Sequence, residues 1–399
     1  MSAESGSKHR PHVLLYEPRV EGHHVSYLKF ITEDLLGAGY RVSAAVDTRP
    51  EAMERIRAQI DDLLPSMNIL PCVDPGQSQS ATRTADTVGR CFKASNAKIA
   101  FINSFDEIAS SMLRKAAFGK LPPASLRGVL GGIYLRPRFA LSRGFSVNNW
   151  WKAAGFNRLT KGGWLNQLLL LDPFLTKTLQ GQHRVVPFTY LPDPYPDSFN
   201  ADSKSARQQL DVPEDKFVFL FYGGAYRRKG LPLAVDAMTK QKPESPAYLL
   251  CAGRQNPGPP LAQTLERLAI EGKARVINRY VSAEEEKLLF AASDVVLLPY
   301  INHFGSSGVL ARAAGAGRPV IASDEELVGQ LVREHKLGWL FPSGDAGALA
   351  SAIEKVTRTN PVELSELTKA VNAYAPLCSR AAFRNALLGS FANASNQST

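Results

Sequence analysis

The sequence predicts an α/β protein made of two doubly wound, Rossmann-like domains facing a cleft. Three observations predict it. Short apolar runs alternate with helical patterns; a Pro-, Asp- and Ser-rich stretch, LPDPYPDSFNADSKS at 191–205, interrupts the alternation; and the alternation then starts again. The 399 residues, 44% apolar and 21% charged, suffice for two packed cores.

The elements follow in order. HVLLYEP (12–18) reads as a buried strand, SYLKFITEDLLGAG (26–39) as an amphipathic helix stopped by glycine, and RVSAAVD (41–47) as a second strand. AMERIRAQIDDLL (52–64) has a helical pattern, and KIAFINSF (98–105) reads as another buried strand. Between 127 and 170 the periodicity is mixed, and then LNQLLLLD (165–172) and VVPFTYLPD (185–193) read as strands. Beyond the interruption, strands are predicted at 217–224, 247–253, 274–281, 294–300 and 319–323, with helical patterns in LPLAVDAMTK, SAEEEKLLFAA, GVLARAAGA and GDAGALASAIEKV between and after them. This places an N-terminal domain at 1–198, a second domain at 199–376 and a C-terminal helix at 377–399. Ligands of such sheets bind beyond the carboxyl ends of the strands, and the cleft between two of them is the expected site.

Composition narrows the chemistry. The four cysteines, Cys72, Cys91, Cys251 and Cys378, form neither a CxxC pair nor a metal-ligand spacing, so a reducing cytoplasm is the expected setting, with no metal. No apolar run approaches the ~20 residues that span a bilayer, and the polar N-terminus lacks a signal peptide's apolar core. The net charge of +10 is concentrated: between Glu107 and Asp172 there is no acid, while Arg114, Lys115, Lys120, Arg127, Arg136, Arg138, Arg143, Lys152, Arg158 and Lys161 all fall there. The same segment holds Tyr134, Phe139, Phe145, Trp150, Trp151, Phe156 and Trp164. Cations with aromatics suit an anionic lipid surface, a lipid-linked acceptor or a nucleic acid, against the plainer reading of a solvated basic face over core tryptophans. No nucleic-acid module is recognisable, so no nucleic-acid partner is expected.

Three loops at predicted strand ends carry the candidate site. After the first strand, Gly22, His23 and His24 stand at a helix entry, where glycine permits close approach and histidine moves protons near neutral pH. In GGAYRRKG (223–230), Gly223 and Gly224 precede Arg227, Arg228 and Lys229, a cationic loop suited to phosphate oxygens but unlike the phosphate loop of nucleotide hydrolases. In HFGSSGVLAR (303–312), Ser306 or Ser307 caps a helix, and Gly308 and Val309 offer its first amides to an anion. Arg312 lies four residues after Gly308, so its side chain leans back toward the same end; a structural salt bridge is the competing reading.

The strings FYGGAYRRKGLPLAVDAM, SDVVLLPYINHFGSSGVLARAAGAGRPVIASD and LGWLFPSGDAGALASAIEKV resemble retaining glycosyltransferases of the two-Rossmann-domain (GT-B) type, the large family four group, across roughly 215–356. The resemblance implies sugar transfer from a nucleoside diphosphate with retention and a C-terminal helix, 377–399, that returns to the N-terminal domain, and it matches Lys229 to the family's phosphate-binding lysine. It implies Lys229, Arg312 and His24 as the reacting-site residues, with Arg227 or Arg228 and the Ser307–Gly308 amides stabilising the leaving diphosphate. His23, Asn103, Asp106 and His303 are candidates for sugar or acceptor contacts. Two departures stand out: Gly224 occupies the family's usual arginine position, and Phe304 and Arg312 occupy those of its paired glutamates, the second of which binds donor ribose. No DxD motif occurs, so neither metal nor other cofactor is expected. The expected partners are a nucleotide-sugar donor, a lipid-linked or glycan acceptor and an anionic membrane surface at 108–171, with the protein cytoplasmic and peripheral on the membrane's inner face. A nucleotide-sugar epimerase would need paired acid and base carboxylates that cannot be placed, and a non-catalytic binding protein would keep the fold without turnover.

Overall fold

The protein is seen here as a computed structural model describing residues 11–22, 24–73, 79–141, 146–183, 186–195, 199, 201–224 and 227–396. His23, Arg143 and Phe145 lie outside the described residues. The chain forms two compact units: Met1–Leu191 with Arg384–Thr399, and Pro192–Phe383. The limits expected from the sequence were 198 and 376.

The first unit carries seven strands among the described residues: β1 (His12–Glu17), β2 (Arg41–Val46), β3 (Asn68–Pro71), β4 (Ile99–Ile102), β5 (Leu130–Tyr134), β6 (Leu165–Leu170) and β7 (Phe188–Tyr190). They form one sheet in the order β3-β2-β1-β4-β5-β6-β7, and every pairing is parallel. Val13, Leu14, Leu15 and Tyr16 of β1 are all buried, because a parallel sheet with helices on both faces has no wet side. The run therefore reads as continuous rather than alternating. Chain order reverses between β1 and β4, which opens the crevice at their carboxyl ends.

The second unit repeats the plan with β8 (Phe217–Tyr222), β9 (Ala247–Ala252), β10 (Ala274–Ile277), β11 (Val295–Leu298), β12 (Val320–Ser323) and β13 (Gly338–Phe341). Their order is β10-β9-β8-β11-β12-β13, again all parallel, with the reversal between β8 and β11. A core of Phe219, Phe221, Leu249, Val295 and Ile321 packs against the helices Leu231–Thr239 and Ala346–Val356. The doubly wound α/β class predicted from the alternation is the fold observed.

Several elements correct the sequence reading. The mixed segment 127–170 resolves into β5, the helix Val147–Lys161 and β6. The strand expected at 185–193 shortens to the three residues of β7. Apart from these corrections, the last helix, Arg380–Asn396, contributes its C-terminal part to the first unit, where Phe391 packs on Tyr40 and Phe101 and Ser390 donates to the Gln167 side-chain oxygen.

Candidate functional site

Each switch point carries a cluster of polar side chains, and the two are built separately. In the first unit, Glu17 ends β1 with its carboxylate buried. It accepts from the Arg19 amide on Oε1 at 2.9 Å, and on Oε2 from His24 Nδ1 at 2.9 Å and Asn103 Nδ2 at 2.7 Å. A carboxylate is acceptor-only, so His24 carries its proton on Nδ1 toward Glu17. Asn103 Nδ2 also donates to the His24 carbonyl at 3.0 Å, which leaves Asn103 Oδ1 buried with no protein partner. Asn103 and His24 are therefore brought together, by a glutamate the sequence reading did not single out.

Asp106 departs from expectation. Its two oxygens accept the backbone amides of Leu135 and Arg136 at 2.7 and 2.9 Å. Burial pushes its carboxyl up to about 6, with those two amides pulling the other way. Asp106 thereby anchors the loop after β5. Nearby, Glu107 receives both Arg19 Nε at 3.1 Å and Arg83 Nε at 3.2 Å, so the charges around this switch point are tied to one another.

In the second unit the basic turn and the helix start meet. Arg227, Arg228 and Lys229 form a 3-10 turn ended by Gly230, whose φ is +74°. A Cβ on Gly230 would fall 1.7 Å from the Pro299 carbonyl oxygen, so only glycine lets this turn lie against the exit of β11. The Ile301 amide closes the contact by donating to the Arg228 carbonyl at 2.9 Å. Lys229 Nζ then lies 4.9 Å above the Tyr300 ring centroid and donates to its hydroxyl at 3.2 Å.

From there a chain of hydrogen bonds runs to the helix Gly308–Gly315. Ser307 Oγ accepts the Leu310 amide at 3.2 Å as the helix cap and shares a hydrogen bond of 2.9 Å with the Tyr300 hydroxyl. A second relay is parallel to it. Arg228 Nη1 meets His303 Nδ1 at 2.6 Å; arginine only donates, so Nδ1 accepts and Nε2 carries the proton given to the Ser306 carbonyl at 3.0 Å. Both His303 nitrogens are used, and the expectation of a sugar contact from this ring gives way to a holding role. Ser306 Oγ donates to Asp193 Oδ2 at 3.0 Å. Gly22, Gly223 and Gly224 stand at strand ends as expected, Gly22 with a φ of +63° and Gly223 with +107°.

Arg312 takes the competing reading. Its Nη1 donates to the Gly308 carbonyl at 3.0 Å, and its Nε lies 2.9 Å from Glu286 Oε2, an ion pair outside hydrogen-bond alignment. The Tyr222 hydroxyl also donates to Glu286 Oε2. Burial lowers the Arg312 pKa, and Glu286, Tyr222 and Asp193 together outweigh that, leaving it above the ordinary value. Arg312 is thus neutralised by a carboxylate one helix away rather than presented alone to an anion. Among the described residues no cluster of three or more His, Cys, Asp or Glu side chains has metal-holding geometry.

With this geometry in view, residues 216–359 match the family described as Glycosyl transferases group 1. The chain is 30% identical over 172 residues to a phosphatidyl-myo-inositol mannosyltransferase of Mycobacterium leprae, covering 41% of this chain and 44% of that protein. It is 27% identical over 150 residues to a putative colanic acid biosynthesis glycosyltransferase, WcaL, of Escherichia coli, covering 36% of each. The chain thus spans under half the length of these curated relatives. Among solved structures it is similar to a glycosyltransferase from Rickettsia africae (TM-score 0.71, 14% identity, 96% of this chain and 98% of that one). It is also similar to Anabaena HepE in complex with UDP and glucose (TM-score 0.68, 15% identity, 96% and 100%).

Proposed function

Taking residues 216–359 as a glycosyl transferases group 1 domain on a GT-B fold, we propose that the protein is a retaining glycosyltransferase using a nucleoside-diphosphate sugar. The single observation that carries the reading is the double relay that fastens the turn Arg227–Lys229 to the start of the helix Gly308–Gly315. It gathers three cations and the first amides of a helix at the carboxyl ends of β8 and β11, the arrangement a diphosphate needs. Negative charge grows on the diphosphate as the glycosidic bond to it breaks, and donors fixed in advance stabilise that charge without reorganising. Lys229 and Arg228 are such donors, held by Tyr300 and His303. No divalent metal or other cofactor is required in this reading.

The acceptor we propose is lipid-linked or a surface glycan, met at the inner face of the membrane. The relatives named for phosphatidyl-myo-inositol and colanic acid support it, and so does a surface of the first unit. Phe118 and Trp150 are 65% and 53% exposed, Val147 and Leu121 are exposed beside them in sequence, and Trp151 stacks between Phe118 (4.5 Å) and Trp150 (4.4 Å). Trp164, Phe156 and Tyr134 are core residues instead. The basic segment is therefore partly core and partly a surface with exposed apolar side chains.

The test is turnover. Purified protein is expected to consume a nucleotide-sugar when offered an acceptor extract, and Lys229→Ala is expected to lose roughly tenfold to a hundredfold in nucleoside diphosphate affinity, the worth of one charge-assisted hydrogen bond. Binding of nucleotide without consumption of any nucleotide-sugar would instead establish the non-catalytic reading, which the carboxylate-free helix Gly308–Gly315 favours.

A further inference from the structure

The helix Gly308–Gly315 has no acid, yet its arginine leads directly to one. Glu286 sits in the first turn of the helix Ala283–Ala292 beside Glu284 and Glu285. Those two behave as surface charges, Glu284 paired with Lys287 and Glu285 with Arg279. Glu286 alone of the three is turned inward, at 7% exposure. Its Oε2 takes the Tyr222 hydroxyl and the Arg312 guanidinium. Its Oε1 receives no hydrogen bond among the described residues and is not sealed from solvent.

We infer that Glu286 Oε1 is the acceptor for a ribose hydroxyl of the donor nucleotide, with Arg312 holding the carboxylate in place. This rests on the donor reading above. A carboxylate presents oxygens that accept, so it repels phosphate and selects a hydroxyl. Arg312 touches Glu286 through Nε and the Gly308 carbonyl through Nη1, so the hydroxyl acceptor and the proposed diphosphate seat are one guanidinium apart. In a nucleoside diphosphate the ribose is bonded directly to that diphosphate, which matches the adjacency. Arg312 acts as a positioning residue in this arrangement, and its own charge is spent on Glu286 rather than on phosphate.

The experiment is calorimetric titration with uridine and guanosine diphosphates, their 2′-deoxy and 3′-deoxy analogues, and inorganic pyrophosphate. The parent protein is expected to bind whichever ribonucleotide it prefers roughly tenfold to a hundredfold more tightly than one of the deoxy analogues. Glu286→Gln is expected to lose most of that ratio while binding pyrophosphate at least as tightly as the parent. The double variant Glu286→Leu with Arg312→Leu removes both charges together, so it leaves no buried ion behind and folds for the same comparison. A parent that does not distinguish ribose from its deoxy forms, or variants that keep the ratio, overturn the inference. So does a ratio that appears only with nucleotide-sugars, which would assign Oε1 to the transferred sugar. Failure of the parent to bind any nucleoside diphosphate or nucleotide-sugar is a different result, and it would take down the donor reading itself.

Discussion

Arg312 shows how a single contact changes an expectation. An arginine presented to an anion alone could be removed with the unliganded fold left as stable as before. The pairing with Glu286 reverses this, because truncating one partner leaves the other charge buried. Breaking such a pair costs about 3–5 kcal/mol, and Arg312→Ala belongs near the lower end because 26% of its side chain still meets solvent. Arg312→Glu is worse, since it sets a second carboxylate against Glu286; thermal unfolding without ligand should rank the parent above Arg312→Ala and that above Arg312→Glu. An unchanged melting temperature for both would show that the pair contributes nothing to the fold.

Asp106 gives a residue-scale pH dependence. Its folded-state pKa of about 6 lies above the ordinary 3.8, so the folded protein holds this proton more tightly than the unfolded chain does. The stability it contributes is complete below about pH 4 and is lost as pH rises through about 6. Asp106→Asn should flatten stability between those limits, while lowering it overall because one of the Leu135 and Arg136 amides loses its acceptor. Melting temperatures of parent and variant across pH 4 to 7 check the sign, and parallel curves would contradict it.

At the scale of elements, what was legible depended on where the cause of each element lies. The runs HVLLYE and FVFLFY declare β1 and β8 because fully buried parallel strands need unbroken apolar sequence. LGGIY does not declare β5, since two glycines read as a turn. The reason for them is distant: a Cβ on Gly132 would fall 2.4 Å from the Ile102 carbonyl oxygen of β4. Likewise the loops bearing Lys229, Ser307 and Gly308 stand out by composition, whereas Tyr300, Glu286 and Glu17 do not. Their roles come from partners 71, 64 and 86 positions away, which no local pattern encodes.

Gly230 is the element-scale test. Alanine there meets both a strained φ, worth about 1 kcal/mol for a non-glycine residue, and the Pro299 carbonyl. Gly230→Ala should therefore separate the basic turn from Tyr300 and Ser307, abolishing detectable nucleoside diphosphate binding while the sheet core keeps its far-ultraviolet circular dichroism. Normal binding by that variant would mean the turn and the helix start act independently.

For the whole molecule, the excess of cations falls in one segment, together with the exposed rings of Phe118 and Trp150. Each cation near an anionic lipid surface contributes about 1 kcal/mol and is screened by salt, while the apolar contribution is not. Sedimentation with anionic liposomes should show binding that weakens as salt rises, and Trp150→Ala should weaken it further at any salt. Equal recovery on neutral liposomes would make the surface an apolar one alone, and no recovery on either would remove the membrane from the proposal.

The last helix adds a matter of timing. A ribosome releases the residues of the first sheet long before it has made Phe391, and Phe391 is the ring that seals Tyr40 and Phe101. Until then those two side chains are part of an unfinished surface, although all seven strands beside them have already been synthesised. The second unit, encoded between the halves, has its full sequence earlier. Birth order and completion order are therefore inverted: the sheet translated first waits for Phe391, and a chain stopped before Phe391 would be faulty near Tyr40 and Phe101.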